Sequence, residues 1–289
     1  MNIDPRPGSF SEFSFAPHSL FKLLVSKFTP ALAALALLCL MTAGCHLGNT
    51  AGSSGTAAGS KPIQSAETFV LVHGAWGGGW DWRNVADRLS ADGYRVYRPT
   101  LTGQGEHVHL SSTNVDLETH IEDIVNLILW EDLHDVVLVG HSYGGMVITG
   151  VADRVPDRIR RVVYLDALLP ENGECVNEII PPKIQKPIVN GYVIPVWVKG
   201  NPPPPHDVPM PAGTFTHPIT LTNQAAARQL NTTYILTADA GQTPESDDFY
   251  KFFQRAQTRH WPTWIMTGDH NVQRSHPAEL VELLEKAAK

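Results

Sequence analysis

Cysteine, basic charge and phosphate-binding loops are scarce or absent in this sequence, and each lack excludes a class of protein. The 289 residues include three cysteines, Cys39, Cys45 and Cys175, too few for a disulfide-rich fold. The 22 Lys and Arg against 29 Asp and Glu give a net charge of −7, which argues against nucleic-acid binding. Neither a G-x-G-x-x-G fingerprint nor a lysine-containing P-loop is present. A small molecule is therefore the expected partner, and the sequence leaves the oligomeric state open.

The N-terminal part of the chain has the pattern of an export signal. Two lysines precede the apolar stretch 31–43, whose length of about 13 residues is too short for a membrane span. The stretch ends in T-A-G-C at 42–45, which resembles the bacterial lipoprotein box. We predict a lipoprotein-type signal over 1–45 with lipidation of Cys45, and a flexible Gly/Ser/Ala-rich tether over 46–66. The protein is then exported and held to the membrane by this anchor alone, facing the periplasm or the cell surface. The alternatives are a plain anchor, a cleaved signal or a buried core helix.

From residue 67 onward, short apolar runs alternate with segments of helical period. This alternation is typical of a mostly parallel sheet flanked by helices, and we predict one α/β domain over 67–289. The predicted strands are Phe69–Val72, Arg95–Arg98, Val136–Val139, Val162–Leu165, Thr233–Leu236 and Trp264–Met266. Four helices are predicted. The first ends near Gly93, and the second buries Ile121, Ile124, Val125, Ile128 and Leu129 on one face. The third runs from Gly144 to Val155, and the last begins at Pro277.

One proline-rich interval, about 171–231, breaks the alternation. Some sixty residues of loop are too many for a compact domain unless they form a functional cover. We predict a small lid inserted after the fourth strand. The alternative is a disordered insertion, against which Trp197 and Phe215 argue because such side chains favour burial.

A G-x-S-x-G motif occupies residues 140–144, directly after the apolar run 136–139 and before a helix-forming segment. The glycines permit the sharp turn that such a serine requires. Ser142 is then held above the carboxyl ends of the strands, at the positive end of a helix. The sequence therefore predicts Ser142 as a nucleophile. The alternative is a tight turn whose serine caps the helix.

Acyl transfer by a serine needs two N–H donors for the oxyanion that forms on the former carbonyl oxygen. The amide after the nucleophile, that of Tyr143, is the first expected donor. The glycine-rich segment after the first strand is expected to supply the other, from Ala75 or alternatively Trp76. His73 is predicted to brace this segment, and both His73 and Trp76 are candidates for the substrate pocket.

Proteins with a serine in this setting carry the acid and then the histidine further along the chain. His270 follows the last predicted strand and is the predicted base. His276 is the alternative, although Pro277 favours a helix-capping place for it. The acid that orients the imidazole should also follow a strand. Asp239 is the predicted acid, and Asp166, after an earlier strand, is the alternative.

Together these motifs resemble the branch of the α/β-hydrolase superfamily that contains bacterial carboxylesterases, plant methylesterases and hydroxynitrile lyases. The resemblance covers about 68–287 and rests on V-H-G-A-W at 72–76, P-T-L-T-G at 99–103, the glycines of 140–145, Y-L-D-A at 164–167, and T-G at 267–268 with His270 and Pro277. It implies an α/β-hydrolase fold with six mostly parallel strands. Lyases of this branch typically have threonine and lysine where this chain has Gly74 and Asn271, which favours hydrolysis.

The predicted function is hydrolysis of small carboxylic esters through an acyl-enzyme intermediate, with a Ser-His-Asp triad and no metal or organic cofactor. His107 and His109 form only a pair, without the further ligands that a metal site needs. The alternatives are a lyase or a cofactor-free perhydrolase on the same fold, or a non-catalytic small-molecule receptor. The natural substrate does not follow from the residues.

Overall fold

The computed structural model describes residues 67–289, so the signal, the tether and Cys45 predicted in the N-terminal part lie outside the described residues. Within this range the strands are β1 (Thr68–Val72), β2 (Arg95–Tyr97), β3 (Val136–His141), β4 (Ile159–Leu165), β5 (Ile188–Val189), β6 (Tyr192–Val193), β7 (Met210–Pro211), β8 (Asn231–Ala238) and β9 (Thr263–Thr267). The helices are α1 (Arg83–Ala91), α2 (Leu117–Trp130), α3 (Gly144–Arg154), α4 (Val176–Ile179), α5 (Gly213–Thr216), α6 (Gln224–Ala227), α7 (Tyr250–Thr258), α8 (Val272–Ser275) and α9 (Pro277–Ala288).

The six-stranded sheet of this range has the order β2-β1-β3-β4-β8-β9. Every pairing within it is parallel. The segments that follow β1, β3, β4 and β9 therefore all leave the same edge of the sheet. Residues far apart in the chain meet at that edge.

Alternating side chains of the central strands fill two hydrophobic cores, one on each face of the sheet. Val70 and Val72 of β1 belong to the core that includes residues of α2 and α3. Phe69 and Leu71 belong to the core that includes residues of α1 and α9. Burial on both faces explains why these strands are uninterrupted apolar runs in the sequence.

Each predicted strand corresponds to a strand of the large sheet, so the predicted sheet is confirmed. The first predicted helix stops where expected, because α1 ends just before Gly93, whose φ is 94°. One prediction about α2, the burial of Leu129, is wrong. Leu129 is 43% exposed, whereas Ile128 beside it is fully buried, so the apolar face of α2 is narrower than predicted.

The segment between β4 and β8 has regular structure. It contains α4, α5, α6 and an antiparallel sheet of order β5-β6-β7. Ion pairs join its start to α7 and to Arg259, the residue after that helix: Arg255 donates to both carboxylate oxygens of Glu174 (2.7 and 3.0 Å), and Arg259 lies 2.5 Å from Glu171. Of the two side chains expected to be buried, Phe215 is buried, whereas Trp197 is 46% exposed and the expectation is wrong for it. Its role as a lid stays a prediction.

Among the helices of residues 67–289, none combines the length and the apolarity that crossing a membrane would take.

Candidate active site

Ser142 occupies a strained turn between β3 and α3. Its φ is 54°, in the left-handed region that residues with a Cβ rarely adopt. The neighbouring glycines make the turn possible: a Cβ on Gly144 would lie 2.8 Å from the Val72 carbonyl oxygen. A Cβ on Gly145 would lie 2.0 Å from the Leu168 carbonyl oxygen. The turn therefore depends on close backbone contacts that only glycine allows.

Gly145→Ala is expected to lower the free energy of unfolding by about 2 kcal/mol or more, because the added methyl overlaps a backbone oxygen that cannot move alone. Urea unfolding measures the change. Gly150→Ala on the same helix is the comparison and should lose less stability, since its methyl would lie 2.4 Å from the end of the Ile121 side chain, which can shift more readily than a backbone carbonyl. Equal losses in the two variants would contradict the close packing of the turn.

His270 lies between Ser142 and Asp166 in one hydrogen-bonded line. The Ser142 hydroxyl is 3.0 Å from His270 Nε2. His270 Nδ1 donates to Asp166 Oδ2 at 2.5 Å. Asp166 is fully buried, and its second oxygen accepts from the Thr237 amide at 3.2 Å. This arrangement fixes the imidazole with Nε2 free to accept the serine proton.

Asp239 does not contact His270, and its predicted place in this line is wrong. β4 and β8 pair with Leu165 opposite Ile235, so Asp166 comes directly after that level. By the same register Leu236 is level with Asp166. Asp239, the first residue after β8, is three residues further on, roughly 10 Å from that level at strand rise. Asp239 is exposed, and its backbone carbonyl accepts from the Gln242 amide. The alternative acid, Asp166, holds the position instead.

His141 braces the segment that carries His270, a contact that the sequence did not indicate. His141 Nε2 donates to the carbonyl oxygen of His270 at 2.6 Å. Gln273 then donates to the other nitrogen of His141 at 3.3 Å. Burial lowers the pKa of His141 well below its usual value of 6.5, so its ring is neutral. His141 occupies the variable position of the G-x-S-x-G motif, so no pattern could have identified it.

Ala75 and Tyr143 lie beside Ser142 and border the same cavity. In the described part of the chain neither backbone N–H has a backbone acceptor. The Trp76 amide has none either, so it stays the alternative to Ala75. Trp76 itself is fastened to the insertion, since its indole donates to the Val193 carbonyl at 3.0 Å and its carbonyl accepts from Val208 at 2.9 Å.

The two predicted pocket residues have different positions. Trp76 lines the cavities beside Ser142. His73 is completely buried and borders neither cavity, so its assignment to the pocket is wrong. Its Nε2 accepts from the Leu101 amide at 3.1 Å and its Nδ1 lies 2.8 Å from the Gly74 carbonyl. Burial lowers its pKa to about 4, so it braces the loop as a neutral ring, as predicted. His276 precedes α9 as its N-cap, the place favoured for it.

The surroundings of His270 favour its protonated form. Partial burial alone lowers the pKa of His270, but the hydrogen bond and charge of Asp166, with the charges of Asp247 and Asp269, raise it above its usual 6.5. Phe249 stacks on the imidazole with ring centroids 4.8 Å apart, which limits the ring's rotation. Neither Asp247 nor Phe249 belongs to a motif, and sequence reasoning missed both.

Two cavities flank Ser142 and His270. The apolar cavity has a volume of about 260 Å³. Its apolar wall is formed by Leu168, Val176, Ile180, Ile184, Phe215 and Phe249. The polar cavity, of about 400 Å³, is lined by charged and polar side chains that include Asp81, Asp207, Asn271 and Arg274. An extended molecule bound at Ser142 would therefore meet two chemically different surroundings.

Comparisons with known proteins agree with this architecture. The model of the alpha/beta hydrolase family matches residues 69–283. The chain is 53% identical over 128 residues to a carbendazim hydrolyzing esterase of Nocardioides sp. (strain SG-4G), covering 43% of this chain and 53% of that protein. It is 39% identical over 106 residues to methylesterase 2 of Arabidopsis thaliana, covering 36% of this chain and 40% of that protein. The matches thus span about half, or less, of these relatives' lengths.

Solved structures give the same result. An extracellular alpha/beta-hydrolase from a Paenibacillus species, described as sharing structural and functional homology with tobacco salicylic acid binding protein 2, is 27% identical with a TM-score of 0.60. The comparison covers 76% of this chain and 98% of that one. With the family model matching most of the chain and the large parallel sheet bearing the serine turn, the protein belongs to the α/β-hydrolase family.

Proposed function

We propose that this protein hydrolyses small carboxylic esters by serine catalysis. The observation that carries the proposal is the unbroken line from the Ser142 hydroxyl through His270 to Asp166, with distances of 3.0 and 2.5 Å. A serine hydroxyl is a weak nucleophile unless a positioned base takes its proton. Here the base and the acid that orients it are both within hydrogen-bond distance.

The proposed reaction has two halves. Ser142 Oγ attacks the ester carbonyl while His270 Nε2 takes its proton, and the amides of Ala75 and Tyr143 donate to the oxyanion. The intermediate then loses the alcohol, which receives that proton from His270. In the second half, His270 takes a proton from water, whose oxygen attacks the acyl-serine. His270 then returns that proton to Ser142 Oγ as the acid leaves. Asp166 holds the imidazolium in place through both halves.

The substrate class is proposed from the cavity and from the relatives. The apolar cavity of about 260 Å³ fits a small acyl or aryl group and not a polymer. Relatives of this chain are named as a carbendazim hydrolyzing esterase, methylesterases and a pyrethroid hydrolase. All three names are consistent with small esters as substrates.

Hydrolysis of p-nitrophenyl esters of graded acyl length tests this function, with carbendazim and methyl esters as further substrates. We expect equimolar release of acid and alcohol, with kcat/KM highest for short or single-ring acyl groups. Release of an aldehyde or ketone from a cyanohydrin, without ester turnover, would identify a lyase instead. Binding of esters without any turnover would identify a receptor.

The raised pKa of His270 predicts the pH dependence. Only the neutral imidazole accepts the serine proton, so activity is lost as the pH falls through the pKa of His270. The acidic limb of kcat/KM is therefore expected above 6.5, the usual value for histidine. Asp247→Asn removes one of the charges that raise this pKa, and the limb should move to lower pH. Rates on a p-nitrophenyl ester from about pH 5 to about pH 9 measure the acidic limb in the parent and in the variant.

Asp248→Asn is the matched control for this profile. Asp248 is adjacent in sequence, but its carboxylate pairs with Lys183 at 2.6 Å. The acidic limb of this variant should stay where it is in the parent. An unchanged limb in Asp247→Asn, or a shift to higher pH, would contradict the electrostatic account of His270.

We further propose that the N-terminal segment is a lipoprotein signal, which would place the enzyme outside the cytoplasm on a lipid anchor. The support is the apolar stretch 31–43, which is followed by Cys45 and then by the Gly/Ser/Ala-rich residues 46–66. Metabolic labelling with an alkyne fatty acid tests it. Cys45→Ser should abolish the label, whereas Cys39→Ser should keep it. Equal labelling of both variants would contradict the assignment.

A further inference from the structure

The polar cavity has a charged wall that the proposed hydrolysis does not use. Arg274 lies between two carboxylates, 2.5 Å from Asp81 and 3.5 Å from Asp207. Its guanidinium also stacks over the Trp80 ring, 4.4 Å from the centroid. These contacts hold one positive charge against two negative ones.

Both carboxylates are withdrawn from water. The Asp81 side chain is 4% exposed and that of Asp207 is 16% exposed. Within the described residues, the buried Oδ1 atom of each carboxylate faces the Arg274 guanidinium, which is the cation beside both. Burial raises the pKa of Asp81 to about 6, partly offset by Arg274, so Asp81 is ionised at neutral pH. One negative charge in this wall is therefore not balanced by Arg274.

Aromatic side chains complete the cavity. Trp76 and Trp197 meet edge to face, with ring centroids 5.0 Å apart, and both line the polar cavity. The Trp197 indole donates to the second oxygen of Asp207 at 2.7 Å, which ties the aromatic wall to the charged one. The Lys186 ammonium lies over the Trp197 ring, 5.8 Å from its centroid. Aromatic rings beside carboxylates attract cations in this way, and they are a favourable surrounding for a weakly hydrated organic cation.

Ser142 and His270 border this cavity as well as the apolar one. An ester held at Ser142 can therefore extend one half into each. We propose that the polar cavity binds a positively charged half of the ester, of the quaternary or protonated amine class, while the apolar cavity takes the other half. This inference rests on the proposed ester hydrolysis for its substrate but on different residues for its evidence.

The test compares esters that differ only in charge. Benzoylcholine is paired with 3,3-dimethylbutyl benzoate, in which carbon replaces the nitrogen. A second pair, ethyl betaine and ethyl 3,3-dimethylbutanoate, places the charge in the acyl half. For at least one pair, kcat/KM of the full chain should be at least about tenfold higher for the cation, and salt should reduce that ratio.

The ammonium group also makes its ester intrinsically more reactive, so a variant supplies the decisive comparison. Asp207→Asn should lower the charged-to-neutral ratio several-fold in the pair that shows the preference. Asp248→Asn removes the same charge from the lining of the apolar cavity and should keep the parent ratio. Ratios unaffected by both Asp207→Asn and salt, in both pairs, would overturn the inference.

Failure of the inference can be separated from failure of the proposed function. Turnover of the neutral esters without any effect of charge would leave the hydrolase intact and remove the cation site. If no ester were hydrolysed, calorimetric titration of the parent chain with choline would still test the cavity, because binding needs no catalysis. Binding that weakens in Asp207→Asn supports the site, and no heat of binding in the parent overturns it.

Discussion

Replacement of Ser142 by alanine is expected to lower kcat for ester hydrolysis by roughly four to six orders of magnitude. The hydroxyl that lies 3.0 Å from His270 Nε2 is lost, and no acyl-enzyme can form. Steady-state kinetics on a p-nitrophenyl ester, with the product followed by absorbance, measures the loss. The cavities remain, so substrate binding should change little.

Two controls accompany this variant. Thermal unfolding should show that Ser142→Ala is as stable as the parent, because the substitution removes one oxygen at a half-buried position. Ser275→Ala removes a hydroxyl from an exposed residue of α8 and should leave kcat unchanged. Rates of Ser142→Ala within tenfold of the parent would remove this serine from the mechanism.

Asp166→Asn is expected to lower kcat by about 10⁴, whereas Asp239→Asn should leave it within about twofold of the parent. The carboxylate of Asp166 accepts the Nδ1 proton of His270 and stabilises the imidazolium that forms when serine is deprotonated. An amide in its place can donate to Nδ1, which stabilises the wrong tautomer and gives no charge compensation. Kinetics of both variants on one ester, at a pH on the parent's plateau, measure the difference.

The pH profile separates this role from a merely structural one. Asp166 raises the pKa of His270, so in Asp166→Asn the acidic limb of the remaining activity should lie at lower pH than in the parent. A variant that was only less well folded would lose activity equally at every pH, and the acidic limb of its profile would not move. A large loss in Asp239→Asn with full activity in Asp166→Asn would reverse the assignment of the acid.

The sheet and the serine turn could be predicted because their signals are local. β3 is buried on both faces and reads as an apolar run, and the glycines after it are required by backbone contacts within a few ångströms of Ser142. His270 could be predicted as well, since parallel strands bring the segment after β9 to the same edge as the segment after β3. Each of these inferences needs the order of elements along the chain, but not their exact alignment.

The acid could not be settled in the same way. Both Asp166 and Asp239 follow apolar strands, and the sequence pattern treats them alike. The choice depends on how far β8 extends past β4, which is a matter of register and strand length. Strand ends carry no sequence signal accurate to two or three residues, although three residues correspond to roughly 10 Å.

The two cavities were beyond sequence reasoning for a related reason. Their walls combine the loop after β1 with residues of the insertion, such as Phe215 and Asp207, and of α8, such as Arg274. The insertion has short helices and two-residue strands without a regular hydrophobic period. The pairing of Arg274 with Asp81 and Asp207 is likewise non-local, and only the fold brings these residues together.

The central claim is that Ser142 is activated by His270 and Asp166, and covalent labelling with a fluorophosphonate tests it most directly. Intact mass and peptide mapping of the treated protein should show one adduct, located on Ser142. The rate of labelling should fall steeply in Asp166→Asn and not in Asp239→Asn. Absence of an adduct, or an adduct on a different serine, would contradict the account.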